Sequence, residues 1–230
     1  MKKLLFVASL SLATLGMVVS CSRDDDSGTT SVANYTLSPS EATTNYDKTV
    51  ALSVKNGSST LSPSEFTWSV SDEKRGTIGN DGVFKAKKVG KVEVTATKNG
   101  QTLKSTINIA PYSTLFTEPL MYFGKTKEEV KSKETRTFIR EYNNFLAFKG
   151  ENRNVSEVLY HFDSNGKIDY IGVRFPYSAS IVENLATFYI ERHNFLGESN
   201  GEYYFNHIDE NATIGLTTST NGIIVVYTAK

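Results

Sequence analysis

Cysteine is the rarest of this chain's reactive residues. One thiol among 230 residues rules out an internal disulfide and a cysteine-rich zinc site. An excess of charge is also missing, because 25 basic side chains face 25 acidic ones. Neutralising a nucleic-acid backbone takes surplus Lys and Arg, so no nucleic-acid partner is expected. Long apolar runs are scarce. The one that stands out, Leu4 to Val19, has 16 residues and falls short of the roughly 20 a membrane-spanning helix needs. Catalytic motifs are lacking too. Histidines 161, 193 and 207 show no metal-ligand spacing, and no glycine-rich phosphate loop is present. Gly197-Glu198-Ser199-Asn200-Gly201 spells the hydrolase string G-x-S-x-G, but an expected helix precedes it and a strand follows, the reverse of a nucleophile elbow. Carboxylate pairs such as Glu128-Glu129 and Asp209-Glu210 are neighbours in sequence, whereas a glycosidase pair comes from different elements. The expectation is a protein with no catalytic residues, no metal and no cofactor, and not an enzyme.

What is present begins with an address. Lys2 and Lys3 precede the apolar run, and small residues break it, as in a cleaved signal peptide. The run ends in Val18-Val19-Ser20-Cys21, which resembles the lipobox of bacterial lipoproteins. That resemblance implies removal of residues 1–20, lipid on Cys21 and anchoring in a membrane. Two or more acyl chains make such an anchor stable. Ser22, Arg23, Asp24, Asp25 and Asp26 follow directly and resemble the acidic export signal of Bacteroidota-type surface lipoproteins. This implies an outer-membrane protein facing the exterior, with the periplasmic face as the alternative. Three adjacent carboxylates repel one another in any case, so residues 21–31 read as a solvated tether. Loss of Lys2 and Lys3 leaves 23 basic against 25 acidic groups, so the mature chain is slightly acidic.

From residue 32 the hydropathy alternates with period two: Val50, Leu52, Val54; Phe66, Trp68, Val70; Val92, Val94, Ala96; Leu103, Ser105, Ile107, Ile109. Turn formers at Asn56-Gly57, Asn80-Asp81-Gly82 and Asn99-Gly100 separate these runs. Short strands at close spacing predict a β-sandwich over 32–111. Trp68, Ser71, the stretch Asp81-Gly82-Val83-Phe84-Lys85-Ala86 and Gly90 resemble the group 2 bacterial immunoglobulin-like domain, known as BIG2. The resemblance implies a spacer or adhesin module without catalytic residues, and it makes Trp68 a core residue rather than a ligand platform.

Composition changes at Pro111. Of 26 aromatic residues, 20 lie from Tyr112 onward, as do all three histidines. Residues 112–230 therefore read as a second, α+β domain with an antiparallel sheet and two helices. Asn165-Gly166 predicts a type I′ hairpin that pairs Val158 with Val173, Tyr160 with Ile171 and Phe162 with Asp169. Val158, Tyr160, Phe162, Ile171, Val173 and Phe175 then share a core face, while His161, Asp163, Tyr170 and Arg174 share a solvated one. His161 beside Asp163 is common spacing on an exposed strand and is not read as catalytic. Thr126 to Glu129 forms a capping box for a first helix. For the second helix, Ser180 to Glu183 reads as a capping box and Gly197 as the C′ glycine. Its apolar stripe is Ile181, Leu185, Phe188, Tyr189, Phe195 and Leu196, and His193 sits in its last turn. Strands are expected over 137–148, 202–207 and 213–227. Helix and strands thus recur as two α-β-β-β halves. Phe123-Gly124-Lys125-Thr126-Lys127-Glu128-Glu129-Val130 and YHFDSNGKI resemble envelope modules of the SmpA/OmlA and β-lactamase-inhibitor-protein type, which implies a sheet surface presented to protein partners.

Tyr203, Tyr204 and Phe205 are the candidate ligand-contact aromatics. Alternation sets Tyr204 opposite the other two, so at least one ring is open to a sugar or protein contact, or else half covered by a helix at a sheet edge. The functional expectation is a non-enzymatic, lipid-anchored surface protein in which an Ig-like spacer presents an α+β domain for adhesion or for binding a glycan or protein. The alternatives are an envelope assembly factor binding an outer-membrane partner, and a glycan-processing enzyme.

Overall fold

A computed structural model describes residues 34–219 and 222–230. Residues 34–230 form one compact unit, within which two β regions have separate apolar cores.

The N-terminal region contains β1 (Tyr35–Ser38), β2 (Glu41–Asn45), β3 (Thr49–Ala51), β4 (Ser53–Asn56), β5 (Ser59–Thr60), β6 (Thr67–Val70), β7 (Gly76–Ile78), β8 (Val83–Ala86), β9 (Gly90–Lys98) and β10 (Gln101–Ala110). They form a four-stranded sheet in the order β2-β10-β9-β6 and two three-stranded sheets, β1-β4-β5 and β3-β8-β7. Leu52, Phe84 and Ala86 pack on Val92, Val94, Ile107 and Ile109, and Val54 and Phe66 pack on Ala96. Both small sheets therefore cover the four-stranded one, as the alternating runs require. Trp68 is half-buried between the two clusters and donates its indole N–H to Pro63 O at 2.8 Å. Gly82 has φ +73°, and a Cβ there would stand 2.8 Å from Leu52 O, so this turn needs glycine.

The C-terminal region runs α1 (Lys127–Lys133), β11 (Phe138–Tyr142), β12 (Phe145–Lys149), β13 (Glu157–Phe162), β14 (Ile168–Phe175), α2 (Ala179–Ile190), β15 (Asn194–Ser199), β16 (Glu202–Asn206), β17 (Ala212–Ser219) and β18 (Gly222–Ala229). One eight-stranded antiparallel sheet results, in the order β11-β12-β13-β14-β18-β17-β16-β15. The two halves recur, but each has one helix and four strands rather than three, and they meet through β14 and β18. Val130 of α1 and Ile181, Leu185, Phe188 and Tyr189 of α2 join one core with Tyr160, Phe162, Val173, Phe175 and Tyr227. Both helices thus lie on the same face of the sheet. Burying an aromatic or aliphatic side chain of this kind contributes about 1.5–3 kcal/mol.

Three local expectations are corrected. The Asn165-Gly166 turn is not type I′, because only Gly166 has positive φ (+70°). Asp163 O accepts the Gly166 N–H and Asp163 N–H bonds Lys167 O, so the loop has three residues with glycine in the left-handed position. The extra loop residue shifts the register, and Phe162 pairs with Ile168; a bulge at Asp169 then restores Tyr160↔Ile171 and Val158↔Val173. The expected core face stays buried.

The second correction concerns the start of α2. Its N-cap is Ser178, whose Oγ accepts the Ile181 N–H at 3.1 Å, rather than Ser180. The third concerns its end. The helix stops at Ile190, and Glu191 is its C-cap. Gly197 belongs to a bulge in β15, with φ +139°, and Phe195 and Leu196 are strand residues, each 54% exposed. Two apolar residues in helical phase extended the stripe on paper, but the sheet takes that segment as an edge strand.

The two regions meet at the end of α2. Val89 N–H bonds Glu191 O at 2.8 Å, and Lys88 Nζ donates to Ile190 O and His193 O at 2.7 and 2.6 Å. Lys74 Nζ bonds Ile208 O at 2.9 Å, and Arg75 pairs with Asp209. The buried Glu191 carboxylate accepts the Tyr112 and Ser113 N–H groups of the connecting segment at 2.7 and 3.1 Å.

Candidate functional site

With both helices on one face, the other face of the eight-stranded sheet is open. Register places its side chains in three rows. The first runs Tyr142, Phe145, His161, Tyr170, Thr228; the second Arg140, Ala147, Leu159, Gly172, Val226, Gly215, Tyr204; the third Lys149, Glu157, Arg174, Ile224, Thr217, Glu202. Small residues alternate with large ones in the middle row, so rings and long side chains lean across hollows. The Tyr204 ring lies 3.6 Å from where a Cβ of Gly215 would stand. Phe145 meets His161 edge-on at 4.7 Å, and His161 stacks on Tyr170 at 4.3 Å. Tyr142 is 63% exposed and Ile224 43%. Around Ala147 lies a well of about 180 Å³, lined also by Arg140, Tyr142, Phe145, Glu157, Leu159 and Arg174. The bulge has a consequence here: Asp169, not Asp163, bonds His161 Nδ1, at 2.5 Å. The Asp163 carboxylate instead accepts the Asn165 and Lys167 N–H groups of its own turn.

The predicted aromatic trio divides between the two faces. Tyr204 lies on the open face with its hydroxyl on Glu202. Tyr203 and Phe205 turn the other way, into an apolar groove of about 420 Å³ between α2 and the sheet edge, lined also by Val182, Ala186, Ile190 and Phe195. Phe205 is its buried floor and Tyr203 its 40% exposed rim. Cys21, Ser22, Arg23, Asp24, Asp25 and Asp26 lie outside the described residues.

Sequence reasoning missed a third feature. Histidines 193 and 207, separate in sequence, converge on Glu118, with donor atoms of all three residues within 4.8 Å of one another. His193 is 1% exposed and lies past the end of α2 rather than in its last turn. Its Nε2 lies 2.9 Å from Glu118 Oε1, which also accepts the Tyr227 hydroxyl at 3.1 Å; Tyr227 and Tyr189 share a hydrogen bond of 2.7 Å. His193 Nδ1 accepts Ile208 N–H, and His207 Nδ1 accepts the N–H groups of Asp209 and Glu210. These amide donors put each ring's proton on Nε2, facing the carboxylate. A metal would need the Nε2 lone pair and a protonated Nδ1, so this donor set does not suit one. Burial works to raise the Glu118 pKa, but the His193 hydrogen bond and the nearby imidazoles hold it below the usual value. Burial, reinforced by His193, pushes His207 down. Burial pushes the Tyr189 and Tyr227 hydroxyls well above theirs.

Comparison with known proteins decides the nature of the first region, since residues 31–109 match the family described as bacterial Ig-like domain (group 2). Residues 31–109 are an Ig-like domain. Its match includes the Asp81-Gly82 turn and Trp68, on which the resemblance rested. Among solved structures, domains 5-6 of the S-layer protein SbsC are similar at 12% identity and a TM-score of 0.29, covering 86% of this chain and 83% of that one. No curated protein matches the chain in sequence. Beyond the Ig-like domain, the chain is a mostly β region with two helices and an antiparallel sheet.

Proposed function

We propose that this is a non-enzymatic surface protein, anchored by lipid on Cys21, in which the Ig-like domain is a spacer and the C-terminal region is a second domain that docks a protein partner on its open sheet face. The observation that carries this reading is the asymmetry of the eight-stranded sheet. One face is covered by both helices, and the other exposes or half-exposes Tyr142, Phe145, Leu159, Tyr170, Ile224 and Val226. Contiguous apolar surface of this kind on a folded chain marks an interaction site. Branched aliphatic side chains among the rings suit a protein surface better than a sugar, which needs paired polar groups at each hydroxyl. The Ig-like domain supports a surface or structural role, and the lipobox and acidic tether support export to the outer face of an outer membrane.

Site-specific photo-crosslinking in intact cells tests docking. A crosslinker at Ile224 should give a discrete protein adduct, and one at Thr187 on the outer side of α2 should not. No adduct from Ile224, or equal labelling from both positions, overturns the docking reading. Protease shaving of the same cells tests orientation, because a C-terminal region that stays intact until lysis defeats surface exposure. The variant Cys21→Ala should leave the membrane fraction, and its retention there defeats the lipid anchor.

A further inference from the structure

The open face has a chemically distinct spot, the well around Ala147. Glu157 Oε2 accepts from Arg140 at 3.0 Å and Oε1 from Arg174 at 2.9 Å, so one carboxylate bridges two guanidinium groups from different strands. Glu157 is nearly buried, with its side chain 12% exposed, while each arginine side chain is 53% exposed. Each guanidinium thus gives Glu157 one terminal nitrogen, and its remaining N–H groups have no partner among the described residues. Arginine carries five donors in a fixed fork, so the pair holds oriented donors in reserve. Two cations thus share one anion, which leaves the well a surplus positive charge. The other walls are Tyr142, Phe145 and Leu159, and the row continues to Ile224.

We propose that this well receives a carboxylate side chain of the protein partner, an Asp or Glu set among apolar residues. The inference rests on the open face being the docking face and adds the chemistry of the contact. Glu157 orients both forks toward the well. An incoming carboxylate completes their hydrogen bonds in a charge-assisted geometry and offsets the surplus positive charge. A glutamine of the same shape offers one acceptor and no charge. Free phosphate meets the charge but leaves the aromatic walls uncovered.

The test is a titration of the full chain, solubilised in detergent, followed through the arginine Nε–H resonances. The probes are N-acetyl-Phe-Glu-Leu-amide, its glutamine counterpart and inorganic phosphate. The glutamate peptide should shift the signals of Arg140 and Arg174 together with those of Tyr142 and Phe145. It should bind about tenfold or more tightly than the glutamine peptide, in keeping with the greater strength of charge-assisted bonds. Phosphate should move the arginine signals alone. The double variant Arg140→Gln/Arg174→Gln should lose the preference. Because it also strips Glu157 of its partners, Arg174→Lys is the companion: it keeps the charge and the fold but loses the fork, so the preference should shrink without vanishing. Equal shifts from both peptides, arginine signals that do not move, or a preference that survives in the double variant would overturn the proposal. If the Ile224 crosslink forms while the arginines stay silent, docking stands and only the carboxylate contact fails. If the crosslink is absent as well, the docking reading falls with it.

Discussion

His193 and His207 lie with ring centroids 4.3 Å apart, and each turns its Nε2 toward a different oxygen of Glu118. His207 cannot take a second proton at no cost, because its Nδ1 already accepts backbone N–H. For His207 the two donors belong to Asp209 and Glu210, and Asp209 is the residue that Arg75 of the Ig-like domain holds. The histidine pair is thus connected to the contact between the two regions.

Acid should therefore weaken the fold. The titratable groups that act on His207 are His193, Glu118, Asp209 and Glu210. Burial and His193 outweigh the three carboxylates and depress its pKa below the ordinary 6.5. In that case the unfolded chain takes up the proton first as pH falls. The stabilisation is complete above 6.5 and is lost between 6.5 and the lower folded value. The midpoint of urea unfolding should drop from about pH 7 to about pH 5, with proton linkage as the cause. In His207→Asn the amide oxygen can still accept the two N–H groups, as in an Asx turn. Its unfolding midpoint should be flatter across that interval. An unchanged slope would show that His207 is not the titrating group.

Glu191 should be the costliest single loss at the junction. Its carboxylate is buried and holds the Tyr112 and Ser113 N–H groups and the Arg192 guanidinium. Glu191→Ala leaves that guanidinium without its carboxylate and should cost about 3 kcal/mol. Lys88→Met removes the donor for Ile190 O and His193 O and should cost about 1–3 kcal/mol. Thermal unfolding of both variants measures this.

The aromatic trio should separate by stability. Phe205→Ala opens a cavity under α2 and should cost about 3–5 kcal/mol. Tyr203→Ser removes only a groove rim and should stay within about 1 kcal/mol of the parent, nearer a surface change than a core one. Chemical denaturation of the two variants checks the contrast.

What the sequence revealed follows from which interactions are local. The alternating runs around Leu52, Val94 and Ile107 and the capping box at Thr126 are short-range patterns, and the structure keeps them. Failures came where one local pattern fits two structures or where a distant partner decides. The bulge at Asp169 is forced by a three-residue loop that Asn165-Gly166 does not distinguish from a two-residue one. Phe195 and Leu196 fit a helix by period, but β16 recruits them into an edge strand. The Glu118 cluster unites residues from a connector, a helix end and a strand end, so no spacing rule finds it. The one clue was the confinement of all three histidines to one half of the chain. The open sheet face was hidden for the same reason, since its rows run across strands far apart in sequence.

The start of α2 gives a direct contest between pattern and structure. Ser180-Ile181-Val182-Glu183 has the capping-box spelling, yet Ser178 holds the cap, in extended conformation at φ −155° after Pro176-Tyr177. The Ser180 side chain is exposed, and its backbone carbonyl accepts from Asn184. Ser178→Ala removes the acceptor of the Ile181 N–H and should cost about 1 kcal/mol, as N-cap losses do. Ser180→Ala sits inside the first turn, where alanine is the better helix former, and should be neutral or slightly stabilising. Differential scanning calorimetry of the two variants decides it. If Ser180→Ala lowered the transition and Ser178→Ala did not, the helix would begin two residues later than the structure places it, and the burial of Ile181 and Leu185 in the core would need a different register.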